Sequence, residues 1–323
     1  MANYTKLIKS ELKRITDNYQ LKINTFQAIE EGSSNSNYFL STDQGKYVLT
    51  IFEIAPSAAE KISRILCLLE EHNYPAPRLI QTTNGKNLFE YQNKKVMIKQ
   101  YIPGRTLAKI STEQIQQIGV FLAKLHQIPP PNYLPREHAY LKDTYPMILE
   151  QNQDQKYKEW VKSQIDILTG SLALSLPTGF IHGDLFTDNV LIEDGKFKAV
   201  IDFEDAGNNL LIFDIGMAVV GLCREDSRIR LEKVRALVSG YQNTRILDKN
   251  EKQSLFASIE LAAVLTSAWR FWKYNLTESN PGRSDHYRQM VNIVDDLELI
   301  PKNFFFKNVF ERSGTLSDQD MFR

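Results

Sequence analysis

The chain has 323 residues, with 39 Lys plus Arg balanced by 39 Asp plus Glu, so it is long enough for two separate cores and carries no net charge. Neutrality excludes the basic footprint expected of a nucleic-acid or anionic-membrane binder, and the residues carry no signal of oligomeric state. Only Cys67 and Cys223 occur, without a CxxC or His/Cys cluster. This argues against a disulfide framework or zinc site and for reduced thiols in the cytoplasm.

The first stretch, "MANYTKLIKSELKRI", lacks the apolar core of a signal peptide and predicts a helix over about 4–18. "INTFQAIEEGSSNSNYFLSTDQGKYVLTIFE" alternates with strand period around two turns. Ile62, Ile65, Leu66 and Leu69 recur at helical spacing before Pro75 and Pro77 punctuate the chain. Short strands are expected over 78–82, 86–91 and 95–101, and "QYIPGRTL" reads as a crossing to a second domain.

From residue 112 the pattern turns helical. "TEQIQQIGVFLAKLHQI" opens at Ser111 or Thr112 and places Ile115, Ile118, Phe121, Leu122 and Leu125 on one face. Helices are predicted over 140–168, 210–222, 227–243, 250–276 and 283–297. The longest greasy run, "LLIFDIGMAVVGLC", is too short to span a bilayer and is broken by Asp214. A soluble α+β protein is expected, with residues 1–102 as a β-rich N-terminal lobe and 103–323 as a mainly helical C-terminal lobe.

"HGDLFTDNVLIEDGKFKAVIDFED", residues 182–205, carries the chemistry. As a plain β-hairpin it accounts for Gly195 in the turn and leaves Asp184, Asn189 and Asp202 unexplained. Asp184 precedes Asn189 by five positions and Asp202 closes the following strand, the pattern of protein-kinase-like phosphotransferases. Asn189 and Asp202 supply one amide and one carboxylate oxygen for Mg²⁺, while Asp184 is left to accept the proton of an acceptor hydroxyl. His182 reads as a packed histidine holding the loop. Upstream, "EGSSNSNYF" supplies Gly32, Ser33, Ser34, Asn35, Ser36 and Asn37, which suit either a phosphate-covering loop or a polar hairpin turn.

"EGSSNSNYFL", "GKYVLTIFE", "FIHGDLFTDNVLI", "AVIDFEDAGNNLLIFDIGMAV" and "AWRFW" together resemble homoserine kinases of the aminoglycoside-phosphotransferase-like type, over residues 5–297. The resemblance implies a protein-kinase-like two-lobed fold, ATP and Mg²⁺ as cofactors, and L-homoserine as the small-molecule substrate. It makes Asp184 the catalytic base and Asn189 and Asp202 the metal ligands. Gly32 to Asn37 would cover the phosphates and the backbone of Gln100 to Ile102 would hold adenine. Asp214 would brace the catalytic loop, although a helix-start aspartate reads equally well.

One departure stands out. The third strand of a kinase ends in a phosphate-neutralising lysine, and Thr50 occupies that place here, a threonine this type of homoserine kinase shares. Lys46 and Lys99 are the cations placed to compensate, Lys99 either reaching the nucleotide or facing solvent. For a zwitterionic acceptor, Glu204 and Asp205 are candidates for the ammonium and Arg224 and Arg270 for the carboxylate, against surface salt bridges or helix-face charges. The catalytic segment alone also fits kinases of other small alcohols, such as choline or aminoglycosides. A nucleotide-binding pseudokinase is suggested by Thr50 and opposed by the intact Asp184, Asn189 and Asp202.

Overall fold

The computed structural model describes residues 5–29, 35–53, 56–172 and 175–311. It divides into two compact units. The first comprises residues up to Arg105 with Val190–Asp194 and Lys198–Glu204, and the second comprises Thr106–Asn189, Gly195–Phe197 and the chain from Asp205 onward.

The first unit opens with helix α1 (Lys9–Thr16), followed by strands β1 (Ile23–Ile29), β2 (Ser36–Thr42) and β3 (Gly45–Phe52). Helix α2 (Pro56–Glu71) starts with proline at its first position, where the missing N–H costs nothing, and buries Ala59, Ile62, Ile65, Leu66 and Leu69. Then come β4 (Leu79–Ile80), β5 (Phe89–Tyr91) and β6 (Lys94–Gln100). The sheet is antiparallel in the order β1-β2-β3-β6-β4, with β5 also paired to β6.

Strand alternation gives the sheet two different faces. Tyr38, Leu40, Tyr47, Leu49, Ile51, Val96 and Ile98 pack with Leu12 and Ile15 of α1. Pairing of Asn37 with Thr50, Thr50 with Met97, Phe39 with Val48, and Val48 with Lys99 sets those six residues on the other face.

The second unit is helical. Its elements begin with α3 (Thr112–His126), α4 (Tyr145–Glu150) and α5 (Gln155–Ser171), and then β7 (Thr178–Ile181). The hairpin β8 (Val190–Glu193) and β9 (Lys196–Val200), which belongs to the first unit except for Gly195–Phe197, turns at Asp194 and Gly195, both at positive φ, as a two-residue turn between twisted strands requires. After β10 (Gly207–Leu210) come α6 (Leu211–Leu222), β11 (Arg224–Glu225), β12 (Arg228–Ile229) and α7 (Leu231–Gln242). Helices α8 (Lys249–Phe271), α9 (Arg288–Glu298) and α10 (Lys302–Phe310) complete it.

Ser111 caps α3 by accepting from the Gln114 N–H, with the Gln114 side chain reciprocating, which fixes the start expected from sequence. Helices α3 and α7 cross at backbone distance. A Cβ on Gly119 would lie 2.2 Å from the Leu237 carbonyl oxygen, and one on Gly240 would lie 1.9 Å from that of Gln116.

The long helix expected over 140–168 is interrupted. A π-helical turn at Tyr140–Thr144 leads into α4, and Asp154 then caps α5 by accepting from the Tyr157 N–H at 3.0 Å. Helix α1 is shorter than 4–18 because Asp17–Tyr19 tightens into a 3₁₀ turn ending on Gln20 at φ 54°. Likewise, 227–243 begins as strand β12 and 272–277 continues α8 as a π-helical turn. No helix among the described residues is long and apolar enough to cross a membrane. Cys67 and Cys223 are both free thiols.

Candidate active site

In the second unit, β7 and its antiparallel partner β10 lead the chain into the loop His182–Phe186. Helix α6 starts directly after β10 and carries Asp214 beneath that loop. One Asp214 oxygen accepts from the Gly183 N–H (2.8 Å), and the other accepts from the His182 N–H (2.8 Å) and faces His126 Nε2 (3.0 Å). His126 passes its remaining nitrogen to the Tyr241 hydroxyl at 2.7 Å. Burial works against ionisation of Asp214, yet the partnership with His126 and the backbone N–H groups holds its pKa below the ordinary carboxylate value. The aspartate expected as a loop brace therefore bonds both peptide N–H groups that precede Asp184.

Gly183 sits at φ 85°, and a Cβ there would meet the Asp205 carbonyl oxygen at 2.5 Å, so the turn admits glycine alone. His182 is fully buried, and its Nδ1 accepts from the Asp184 N–H at 3.2 Å. His138, fixed by Nε2 on the Gly183 carbonyl at 2.9 Å and by Nδ1 on the Tyr140 N–H at 3.2 Å, fills both ring positions as a neutral imidazole. Burial pushes its pKa down accordingly.

The loop presents Asp184 with both carboxylate oxygens engaged. Tyr140 donates its hydroxyl to Oδ1 at 3.3 Å, and Asn189 donates Nδ2 to Oδ2 at 3.2 Å and to the Asp184 carbonyl at 2.7 Å. Burial, followed by the nearby charges of Asp184 and Asp205, raises the Tyr140 pKa well above its usual value, so Tyr140 stays a donor. Its ring stacks on Trp269 at 5.8 Å and meets His138 edge-on at 4.7 Å. Asn189 sits in a 3₁₀ turn, Thr187–Asn189, and is buried. Its amide nitrogen is spent on Asp184, and its Oδ1 receives no hydrogen bond among the described residues.

Asp202 belongs to the first unit. It is exposed and held in the left-handed region at φ 64°, a conformation that aspartate tolerates better than most residues do. One of its oxygens accepts a long bond from the Glu204 N–H (3.4 Å). Glu204 is tied within the same unit, its carboxylate receiving Asn35 Nδ2 at 2.6 Å and its carbonyl receiving Lys61 Nζ at 2.5 Å. Taken separately, Asn189 in the second unit and Asp202 in the first each keep a side-chain oxygen that receives no donor among the described residues, and amide and carboxylate oxygens are the ligand types a divalent ion takes.

On the sheet face opposite the first unit's core, Thr50 is buried and donates to Asn37 Oδ1 at 2.7 Å. Lys99 is half-buried beside it. Burial lowers its pKa, opposed by the charges of Asp202 and Glu204, and its ammonium has no hydrogen-bond partner among the described residues. Ser36, at the start of β2, is engaged with Glu53. Gln100 gives its N–H to the Arg78 carbonyl (2.8 Å) and Tyr101 gives its own to that of Lys46 (3.0 Å). Ile102 keeps an N–H with no partner among the described residues. Gly32, Ser33 and Ser34 lie outside the described residues.

A family profile described as the phosphotransferase enzyme family matches residues 25–247, more than half of the chain. This chain belongs to the phosphotransferase enzyme family. A homoserine kinase of Caulobacter vibrioides is 31% identical over 267 residues, covering 79% of this chain and 84% of the relative. One from Zymomonas mobilis is 26% identical and covers 98% of each. Among solved structures, a microcompartment-associated aminopropanol kinase superposes with a TM-score of 0.72 at 18% identity, over 90% of this chain and 96% of its own. Amicoumacin kinase in complex with AMP-PNP and Ca²⁺ superposes at 0.69 and 17% identity, over 92% and 99%. These superpositions establish an α+β kinase fold of the aminoglycoside-phosphotransferase kind.

Tyr140, Trp269, His126 and His138 escaped the sequence reading. The signal for Trp269 was present in "AWRFW", while Tyr140 lies in a segment whose helical period gives no hint that its hydroxyl meets Asp184.

Proposed function

We propose that this chain is an ATP-dependent kinase that transfers the γ-phosphoryl group to the hydroxyl of L-homoserine, with Mg²⁺ as the divalent ion. The observation that carries the reading is the Asp184 carboxylate, aimed by Tyr140 and Asn189 on a loop anchored to Asp214. It stands in a chain that aligns over most of its length with homoserine kinases.

Asp184 orients the acceptor hydroxyl and takes its proton as the new O–P bond forms and the bond to the β–γ bridging oxygen breaks, releasing ADP. Asn189 Oδ1 and the Asp202 carboxylate would be the protein ligands of Mg²⁺, which when bound would offset the charge of the phosphates. We assign the nucleotide to residues 1–102 and the acceptor to 103–323. The Ile102 N–H and the Gln100 carbonyl are the adenine partners in this assignment, and Gly32 to Asn37 form the phosphate cover. For the acceptor ammonium, Glu204, whose carboxylate is met by Asn35, and Asp205 are the candidates. Two free thiols agree with a reducing cytoplasm.

Phosphorus NMR of the product mixture tests this reading. With ATP and Mg²⁺, L-homoserine should yield ADP and a phosphomonoester whose phosphorus couples to the two protons of the former CH₂OH carbon. ATP consumption without that ester would sink the proposal.

A further inference from the structure

Arg224, the first residue of β11, and Arg270, near the end of α8, are half-buried, and neither forms an ion pair with a carboxylate among the described residues. Arg224 donates to the Asp226 carbonyl at 3.3 Å, and its Nε is buried with no partner. Arg270 donates to Gln289 Oε1 at 2.9 Å and to the His286 carbonyl at 3.3 Å. A guanidinium has five N–H donors in a fixed fork, so both have donors to spare.

The two are also neighbours, joined through Gln289, whose Oε1 accepts from Arg270 and whose Nε2 donates at 3.3 Å to the Asp226 carbonyl that Arg224 also meets. Burial depresses the Arg270 pKa, and the Arg224 charge depresses it further, while Tyr140 and Asp184 pull the other way. Arg224 is likewise desolvated, with Asp188 of the catalytic loop among the charges acting on it. Two like charges held together out of water, one with an orphaned donor, are unfavourable unless an anion completes them. A planar carboxylate matches guanidinium forks in charge and geometry.

We infer that Arg224 and Arg270 form a clamp for the α-carboxylate of the acceptor, holding an amino acid with its hydroxyl toward Asp184. The inference rests on the kinase reading above and deepens it by naming what separates an amino-acid acceptor from a plain amino alcohol. The clamp acts on ground-state binding and transition state alike, so its loss should appear in KM for the acceptor more than in kcat.

The test uses the full chain with L-homoserine and 3-aminopropan-1-ol, the same alcohol without the carboxylate. Arg224→Gln and Arg270→Gln should each raise KM for L-homoserine at least 30-fold, by about the size of a lost charge-assisted hydrogen-bond pair, and change kcat/KM for 3-aminopropan-1-ol less than threefold. Arg224→Lys should fall between parent and Arg224→Gln, since it restores charge without the fork. Melting temperatures should hold or rise in both Gln variants, because a repulsive pair is relieved; arginines with a purely structural role would lower them. Equal losses on both alcohols, in kcat, would overturn the clamp and move the arginines to the phosphoryl group. In the parent enzyme, L-homoserine methyl ester turned over as efficiently as L-homoserine would also overturn it. Failure of the parent to phosphorylate L-homoserine at all would instead strike the kinase reading.

Discussion

Lys99 and Thr50 stand on the same face of the antiparallel sheet, Lys99 opposite Val48 and Thr50 opposite Met97 on neighbouring strands. Thr50 stands where the sequence leads one to expect the phosphate-binding lysine of a kinase, and its hydroxyl donates to Asn37 Oδ1. Lys99 is a desolvated ammonium on that face, under the charges of Asp202 and Glu204 and without a hydrogen-bond partner among the described residues.

Lys99 is therefore the cation expected to offset the nucleotide phosphates. Lys99→Met should raise KM for ATP about tenfold, equivalent to about 1.4 kcal/mol, with little change in KM for the acceptor. Lys46 is the control. It shares the face but is exposed, with its ammonium 5.8 Å from the centre of the Tyr101 ring, and Lys46→Met should leave ATP affinity intact. Steady-state kinetics with ATP varied decides the matter, and an unchanged KM in Lys99→Met removes Lys99 from the nucleotide site.

Asp184 and Asp202 should fail differently. Asp184→Asn keeps the partners Tyr140 and Asn189 within reach but loses the proton acceptor, so kcat should fall by about 10² to 10⁴ while Mg·ATP binds as before. Asp202→Ala removes a proposed metal ligand and should weaken Mg·ATP binding itself. Calorimetric titration of Mg·ATP into the two variants separates the roles, and equal affinities would contradict the division.

Glu260 offers a test independent of catalysis. It is buried on α8, and burial, reinforced by Glu298 and opposed by Lys302, raises its pKa from 4.5 to about 7. The folded state thus binds the proton more tightly than the unfolded state. Its contribution is fully favourable below pH 4.5 and is lost as pH climbs from there through 7. Glu260→Gln should raise the melting temperature at pH 8 and change it little at pH 4.5. An equal effect at both pH values would show that the carboxylate ionises normally in the fold.

The hairpin Val190–Val200 was legible because its signals are local: alternating strands and an Asp194-Gly195 turn that needs positive φ at both positions. The same holds for α2 and for the Ser111 cap, where periodicity and capping chemistry lie within a few residues. Tyr140 and His126 were not legible. Tyr140 lies 44 residues from Asp184, and His126 lies 88 from Asp214, and no local pattern encodes such pairings. The break between α4 and α5 was missed because Gln151 and Asp154 sit where the helical period continues, and the Asp154 cap overrides it. Arg224 and Arg270 were visible as charged residues; that neither meets a carboxylate follows from tertiary packing alone.

Comparative turnover decides whether this phosphotransferase takes an amino acid as its acceptor. The stacked pair Tyr140 and Trp269 beside Asp184 also suits a cationic alcohol, so choline is the informative competitor. In a coupled ADP-release assay with Mg·ATP, kcat/KM should be highest for L-homoserine, by at least about tenfold over choline, kanamycin and spectinomycin, a gap of about 1.4 kcal/mol in transition-state binding. Turnover of any of those three as efficient as that of L-homoserine would show that the acceptor is not an amino acid.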